Sequence, residues 1–385
     1  MSPDLIPIDY ATLRVLWWAI LGVLLIGFGV LGGSDLGVGT LLPFVARHDA
    51  ERRVAINAIG PTWEGNQVWF VLGGGAAFAA WPQVYAASIS VFYSVMLVLV
   101  LALILRPVGF EYRNKVSHRR WRALWDWCLF TGGAVPSFLF GVAFGNLLQG
   151  IPFRLDETMR LSYEGSVLGL LNPFALMCGL VSVSMLVMHG GMFLVMKTEG
   201  AVRERARTAV RWSSCVLIML FGFGGVCVFF WIKGYVITGA IDPGGPSDPL
   251  AKAVTRSLGA WYTNYAEHGW LLVAPGLGFA GAILGFAAAT FRIGMIGLWC
   301  TGLSVAGVIA TAGISMFPFI LPSRAHPQSS LTVWDASSSP LTLFMMLAAV
   351  VILLPLVLIY TGWVIRLMRG KVSPNYVRDN ADVLY

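Results

Sequence analysis

Long apolar segments with almost no charged residues recur along the whole chain, and they constrain its fold more than any other feature. A helix needs about 20 apolar residues to cross the hydrocarbon core of a membrane. Eight such segments are clear from hydropathy, and a ninth, 54–80, is less apolar at its start. The chain is 57% hydrophobic and only 12% charged, whereas soluble domains carry roughly 25% charged residues. The sequence therefore predicts an all-α integral membrane protein.

The basic residues indicate the topology. Most of the 26 Lys and Arg residues fall in 47–53, 106–122, 197–211, the tail from Arg366 and a short loop at Arg292. Short loops rich in Lys and Arg stay in the cytoplasm, and 47–53 and 106–122 share that side only if two spans separate them. Segment 54–80 therefore counts as a span. The nine predicted spans lie near 14–45, 54–80, 83–105, 123–148, 166–196, 210–236, 266–290, 293–315 and 340–366.

This topology places the N-terminus outside the cell and the C-terminus in the cytoplasm. The start, "MSPDLIPIDY", lacks the positive region of a signal peptide, so the first apolar segment is expected to be retained. The net charge of +7 marks cytoplasmic loops and does not indicate nucleic-acid binding. The five cysteines form no CxxC pattern, which argues against a covalent haem or a zinc site. Residues 1–385 are interpreted as one membrane domain.

The stretch "PTWEGNQVW", 61–69, places the ionisable Glu64 inside a predicted span. Ionisable residues within the membrane are costly and are functional candidates by default. One interpretation is a proton-uptake site on a hydrated path, with Asn66 and Gln67 as neighbours that hold water. The other is a carboxylate that pairs with a nearby arginine, such as Arg106, for helix packing alone. The residues themselves favour neither interpretation.

Three further polar residues have simpler explanations. Asp35 follows two glycines and a serine, where a helix can break, so it is interpreted as a cap of the continuing helix. Asp126, in "WDW", lies close to a basic loop and is interpreted as a helix-terminal charge or a salt bridge. His189 is interpreted as a core residue. A haem with two axial ligands needs a partner at similar depth, and the other histidines lie in loops or at span ends.

Specific motifs resemble subunit II of the bd-type quinol oxidases of bacterial respiratory chains. They are "WWAILGVLLIGFGVLGGSDLGVG", "RRVAINAIGPTWEGNQVWFVLGGGAAFAAWP", "LRPVGFEYR", "WRALWDW", "GVAFGNLLQG", "LNPFALMCG", "TAGISMFPF" and "LTVWDASSS", in that order. The resemblance runs from about residue 9 to the C-terminus. It implies two four-helix bundles plus one peripheral helix, in the bacterial cytoplasmic membrane.

The resemblance also implies partners and a reaction. Subunit I of the family holds two b-type haems and one d-type haem, whereas subunit II holds none. Small single-span subunits accompany the pair, and some members hold a quinone against subunit II. The complex oxidises quinol and reduces dioxygen to water with protons from the cytoplasm.

The family assigns the acid after Pro-x-Trp to a proton path, and here that acid is Glu64, where close relatives commonly have Asp. Trp63, Asn66 and Trp69 match the same motif and are expected to frame the path. Asp35 matches the "D-x-G-x-G" stretch of the family. The predicted path comprises Glu64, Trp63, Asn66, Gln67, Trp69, Asp35, Arg106 and Asp126.

Two alternatives stay open at this point. In the first, the chain is a purely structural or quinone-holding subunit, and the proton path lies in subunit I. In the second, the chain is a secondary transporter with Glu64 and Asp35 as coupling sites, which predicts inverted repeats that the sequence does not display.

Overall fold

The computed structural model describes residues 6–239, 241–368 and 370–379, and helices dominate these ranges. The helices are α1 (Tyr10–Val45), α2 (Asp49–Ile59), α3 (Trp63–Ala80), α4 (Pro82–Val91), α5 (Tyr93–Tyr112), α6 (Arg119–Gln149), α7 (Pro173–Lys197), α8 (Gly200–Phe230), α9 (Thr263–Glu267), α10 (Val273–Phe291), α11 (Gly294–Met316), α12 (Pro340–Leu367) and α13 (Pro374–Asp379). Short strands form three antiparallel hairpins, β1 (Phe153–Leu155) with β2 (Leu161–Tyr163), β3 (Lys233–Ile237) with β4 (Val254–Leu258), and β5 (Phe319–Leu321) with β6 (Leu331–Thr332).

Eight helices of the described ranges are long and apolar enough to cross a membrane. They are α1, α5, α6, α7, α8, α10 together with its preceding turn, α11 and α12. The prediction of an all-α integral membrane protein is therefore confirmed. The ninth predicted span does not meet the same criterion, so the count of nine and the two-bundle arrangement stay predictions.

The segment expected as a single span at 54–80 is divided into two helices. Helix α2 ends at Ile59 and α3 begins at Trp63. Pro61 lies between them, and proline lacks the backbone N–H that a continuing helix would need. The polar first turn of α3 also lowers its hydropathy. Similarly, the span expected at 83–105 is divided at Phe92, between α4 and α5.

Several predicted loops are instead helical. Helix α5 continues to Tyr112 and α6 begins at Arg119, so the basic loop expected at 106–122 is shorter. Helix α8 begins at Gly200, within the loop expected at 197–211, and ends at Phe230, before a strand that replaces the last turn of the predicted span. Hydropathy locates only the apolar part of each helix, and these helices extend beyond it with charged turns.

Helix α1 lies at the centre of the packing and contacts α3, α6, α7 and α11. Where α1 crosses α7, backbone packs closely against backbone. A Cβ atom added to Gly190 would lie 2.6 Å from the carbonyl carbon of Gly37, which is closer than real Cβ atoms approach. Glycine at both positions therefore permits the crossing. Helix α12 is peripheral, because Leu343 is its one buried side chain among those that the structure describes.

The two ends of the helix bundle are held by different contacts. At the end where α1 begins, the hairpins join the loops, and the Arg324 N–H donates to the carbonyl of Ile151 at 2.8 Å. At the opposite end, α13 packs on α2. The Val372 N–H there donates to the carbonyl of Lys197 at 2.8 Å, which ties the segment after α12 to the end of α7.

Candidate functional site

Asp35 is the buried acid at the centre of a polar cluster within the bundle. It lies mid-helix in α1, and its exposed fraction is 1%. The interpretation of Asp35 as a helix cap is wrong, because α1 continues unbroken through the two preceding glycines. The side chains of Phe28 and Leu186 lie closely against those glycines instead. The Nδ2 of Asn66 in α3 donates to Asp35 Oδ2 at 2.9 Å, so these two predicted path residues lie together.

Arg106 completes this cluster from α5. It is 3% exposed and lines the same small cavity as Asp35. Gly132 of α6 makes room for the arginine stem, since a Cβ there would lie 2.6 Å from Arg106 Cγ. The guanidinium carbon lies 6.0 Å from the ring centroid of Trp63, and that ring stacks on Phe110 at 5.1 Å.

Glu64 lies outside this cluster. Its side chain is exposed on the surface of the chain, and no ion pair joins it to Arg106 among the described residues. The interpretation of a Glu64–Arg106 pair is therefore wrong. Successive helical residues are rotated by about 100°, so Glu64 and Asn66 project to different sides of α3. Asn66 faces the bundle and Glu64 faces away from it.

Two other residues of the motif, Trp69 and Gln67, also lie on α3. Trp69 is 3% exposed, and its ring packs directly on Gly27 of α1. Gln67 is half-buried. The motif thus divides by helical face, with Trp63, Asn66 and Trp69 directed inward and Glu64 directed outward.

Asp126 belongs to a separate ionic network near the end of the bundle that carries α2. Its carboxylate accepts hydrogen bonds from Arg113 Nε at 2.6 Å and from Arg52 Nη1 at 2.7 Å. Asp49 extends the network, because its carboxylate accepts from Arg113 Nη2 at 2.8 Å and from Arg122 Nη1 at 2.9 Å. These contacts favour the salt-bridge interpretation of Asp126.

His189 joins three helices. Its Nε2 lies 2.8 Å from the carbonyl oxygen of Val30, and its Nδ1 lies 2.9 Å from Thr301 Oγ1. Because a carbonyl only accepts, Nε2 carries the proton. Both ring nitrogens are thus engaged by protein atoms, and this does not fit an axial haem ligand. Among the described residues, no three His, Cys, Asp or Glu side chains are grouped to hold a metal ion.

Sequence reasoning missed a buried ionic cluster at the hairpin end. Lys252 and Asp335 form an ion pair of 2.9 Å, and each is 4% exposed. Burial lowers the pKa of Lys252, while the charge of Asp335 acts in the opposite direction. Nearby, the fully buried Arg14 donates from Nε to Ser337 Oγ at 2.7 Å. The motif "LTVWDASSS" contains Asp335 and Ser337, and it was the sequence signal that could have indicated this cluster.

A large apolar cavity of about 280 Å³ lies between α1, α6, α7, α8 and α11. Phenylalanine, methionine and aliphatic side chains line most of it. A few polar groups, including Ser182, Tyr262 and Ser315, also reach it. Its volume is just below the range of about 300–1,000 Å³ that is typical of pockets for small organic ligands. Hydropathy alone gave no sign of this cavity.

Comparisons with known proteins agree on one family. The family described as cytochrome bd terminal oxidase subunit II matches residues 13–368. A Haemophilus influenzae protein named probable cytochrome oxidase subunit 2 is 47% identical, over 98% of this chain and 100% of that protein. The Escherichia coli K12 protein named cytochrome bd-I ubiquinol oxidase subunit 2 is 45% identical over the same shares.

A solved structure shares the fold. The bd oxidase from Geobacillus thermodenitrificans matches with a TM-score of 0.68 and 17% identity, over 92% of this chain and 98% of that one. The resemblance stated from the motifs is therefore confirmed, and the transporter interpretation finds no support. The family implies a subunit I partner and haems in that partner. The chain belongs to the cytochrome bd terminal oxidase subunit II family and is part of an oxidoreductase complex in the bacterial inner membrane.

Proposed function

We propose that this chain is a haem-free subunit that stabilises the haem-bearing subunit I of a quinol oxidase and supplies it with protons through Glu64. In this proposal the complex oxidises quinol, which is ubiquinol in the named E. coli relative, and reduces dioxygen to water. Small single-span subunits accompany the two large ones. The N-terminus is periplasmic and the C-terminus cytoplasmic.

The observation that carries the proposal is the position of Glu64 on the outward face of α3. The same helix exposes large apolar side chains, with Val71 70% exposed and Phe78 58% exposed. An exposed apolar face of this kind is expected to be covered by lipid or protein. A lone carboxylate beside it is costly against lipid, and subunit I is the partner that would receive its proton.

The depth of Glu64 suits proton uptake. It lies in the first turn of α3, at the end of the bundle that carries α2 and the basic connections. The positive-inside rule places this end in the cytoplasm. The positive end of the α3 dipole also favours an acid there, which is the basis of the purely structural alternative.

Quinol-driven oxygen consumption by the purified complex tests the proposal. The complexes compared are wild type, Glu64→Gln and Glu64→Asp, with haem content checked by absorption spectroscopy. We expect Glu64→Gln to lose most turnover with haems intact, and Glu64→Asp to recover it. Glu111→Gln, an exposed acid near the end of α5, is the matched control. Normal turnover of Glu64→Gln would make Glu64 structural and place the path in subunit I.

A quinone-holding role is the second candidate, and the large apolar cavity favours it. Its aromatic lining and few polar groups suit a quinone ring and isoprenoid tail. Gly224 of α8 lines the cavity, whereas Gly222 of the same helix does not. We expect Gly224→Leu to reduce the quinone extracted from the purified complex, and Gly222→Leu to leave it unchanged. Equal quinone in both variants would contradict this role.

A further inference from the structure

Two buried charged groups, on α1 and α5, face one small cavity without touching each other. Asp35 and Arg106 both line this cavity, together with the apolar side chains of Val38, Leu42 and Ile59. No ion pair within 4.0 Å joins these two described residues. Each has one buried atom without a hydrogen-bond partner, Oδ1 of Asp35 and Nη2 of Arg106.

Such an arrangement requires a further hydrogen-bonding partner. Buried polar groups in native proteins are nearly always hydrogen-bonded, either to protein or to ordered water. A buried charge that lacks a partner is especially costly. The other oxygen of Asp35 already accepts from Asn66, so the carboxylate is fixed in place and its Oδ1 needs a separate donor.

The size and charge of the cavity decide which ligand fits. Its volume is about 10 Å³, which is close to the minimum for a single water molecule. Asp35 and Arg106 together are neutral, so an added ion would leave a net charge among apolar side chains. Water is neutral, and it can accept from Arg106 and donate to Asp35.

We propose that one water molecule is bound between Asp35 and Arg106 and bridges them. The water oxygen accepts from Arg106 Nη2, and one of its protons is donated to Asp35 Oδ1. The bridge links α1 and α5, and through Asn66 it extends to α3. It also places a hydrated acid of α1 beside the inward face of α3, separate from Glu64 on the outward face. This inference does not rest on the proton-transfer role of Glu64.

Electron cryo-microscopy of the intact complex, at a resolution that shows ordered water, tests the proposal. We expect a density peak within about 2.7–3.2 Å of both Asp35 Oδ1 and Arg106 Nη2. A direct contact between the two side chains, or a cavity without a peak, would overturn it. The result for Glu64→Gln is expected to be the same as for wild type, so failure of the proton path would leave this test intact.

A matched pair of variants separates binding in this cavity from hydration elsewhere. Val38→Ile adds a methylene to the cavity wall, whereas Val45→Ile makes the same change at a buried position of α1 that does not line the cavity. The peak is expected to be lost in Val38→Ile and kept in Val45→Ile. If Val38→Ile fails to assemble, infrared spectroscopy provides the same test. The bound water is expected to give a wild-type band that shifts in H₂¹⁸O and that is absent from Asp35→Leu. A peak or band unaffected by these variants would refute the site.

Discussion

Replacing Gly190 by alanine is expected to force α1 and α7 apart. The new Cβ would lie 2.6 Å from the carbonyl carbon of Gly37 and 2.6 Å from the amide nitrogen of Val38. Both atoms are backbone, so the helices themselves must separate by about 1 Å to reach an ordinary contact. Overpacking of this kind costs about 1–3 kcal/mol. The shift would also lengthen the adjacent bond from His189 to Val30, which is 2.8 Å, beyond hydrogen-bonding range.

A total cost of about 3 kcal/mol has a measurable thermal consequence. The entropy of unfolding is about 2.1 cal/mol/K per residue, so a chain of 385 residues loses about 4 °C in Tm. Thermal unfolding of the purified complex, followed by haem absorbance, measures this change. Gly22→Ala in α1 is the control, because nothing lies within 4 Å of its added Cβ. A Tm for Gly190→Ala equal to that of Gly22→Ala would refute the reasoning.

Three further substitutions test the buried polar contacts, each by the change in Tm of the complex. Asp126→Asn is expected to destabilise by roughly 3 kcal/mol, because Arg113 is buried beside it, and no change in Tm would contradict this. Lys252→Met is expected to lower Tm, because it leaves Asp335 buried without its ion-pair partner. Adding Asp335→Leu to this variant is expected to restore Tm, and a double variant no more stable than the single one would argue against the pair. His189→Leu is expected to cost about 1–3 kcal/mol more than His189→Gln, which keeps a side-chain hydrogen bond, and equal values would count against the three-helix contact.

Much of the fold follows from composition alone, because apolar segments long enough to span a membrane have few other stable arrangements. Eight segments of this kind reappear as helices in the described ranges. The ninth segment, 54–80, does not reappear as one helix. Pro61 interrupts it, and the polar first turn of α3 lowers the hydropathy of the part that follows. Helix ends also escaped prediction, since the charged turns of α6 and α8 carry little hydropathy signal.

The sequence singled out Glu64, Asn66, Asp35 and Arg106 as candidates but did not show how they pair. One of the two interpretations of Glu64 paired it with Arg106, whereas the acid that shares the cavity of Arg106 is Asp35. Hydropathy gives the depth of a residue in the membrane but not the rotation of its helix. Helix rotation is set by packing, here by Trp63 on Phe110 and Trp69 on Gly27, and one sequence does not display such contacts.

The different contacts at the two ends of the bundle should make them respond differently to ionic strength. At the α2 end, several ion pairs are partly exposed, including Arg122–Asp49 and Lys371–Glu199. Mobile ions screen such charges over about 8 Å at physiological concentrations. At the hairpin end, backbone hydrogen bonds and the buried Lys252–Asp335 pair are shielded from those ions. Raising the salt concentration should therefore loosen α2 and α13, beside the first turn of α3, while the opposite surface keeps its shape.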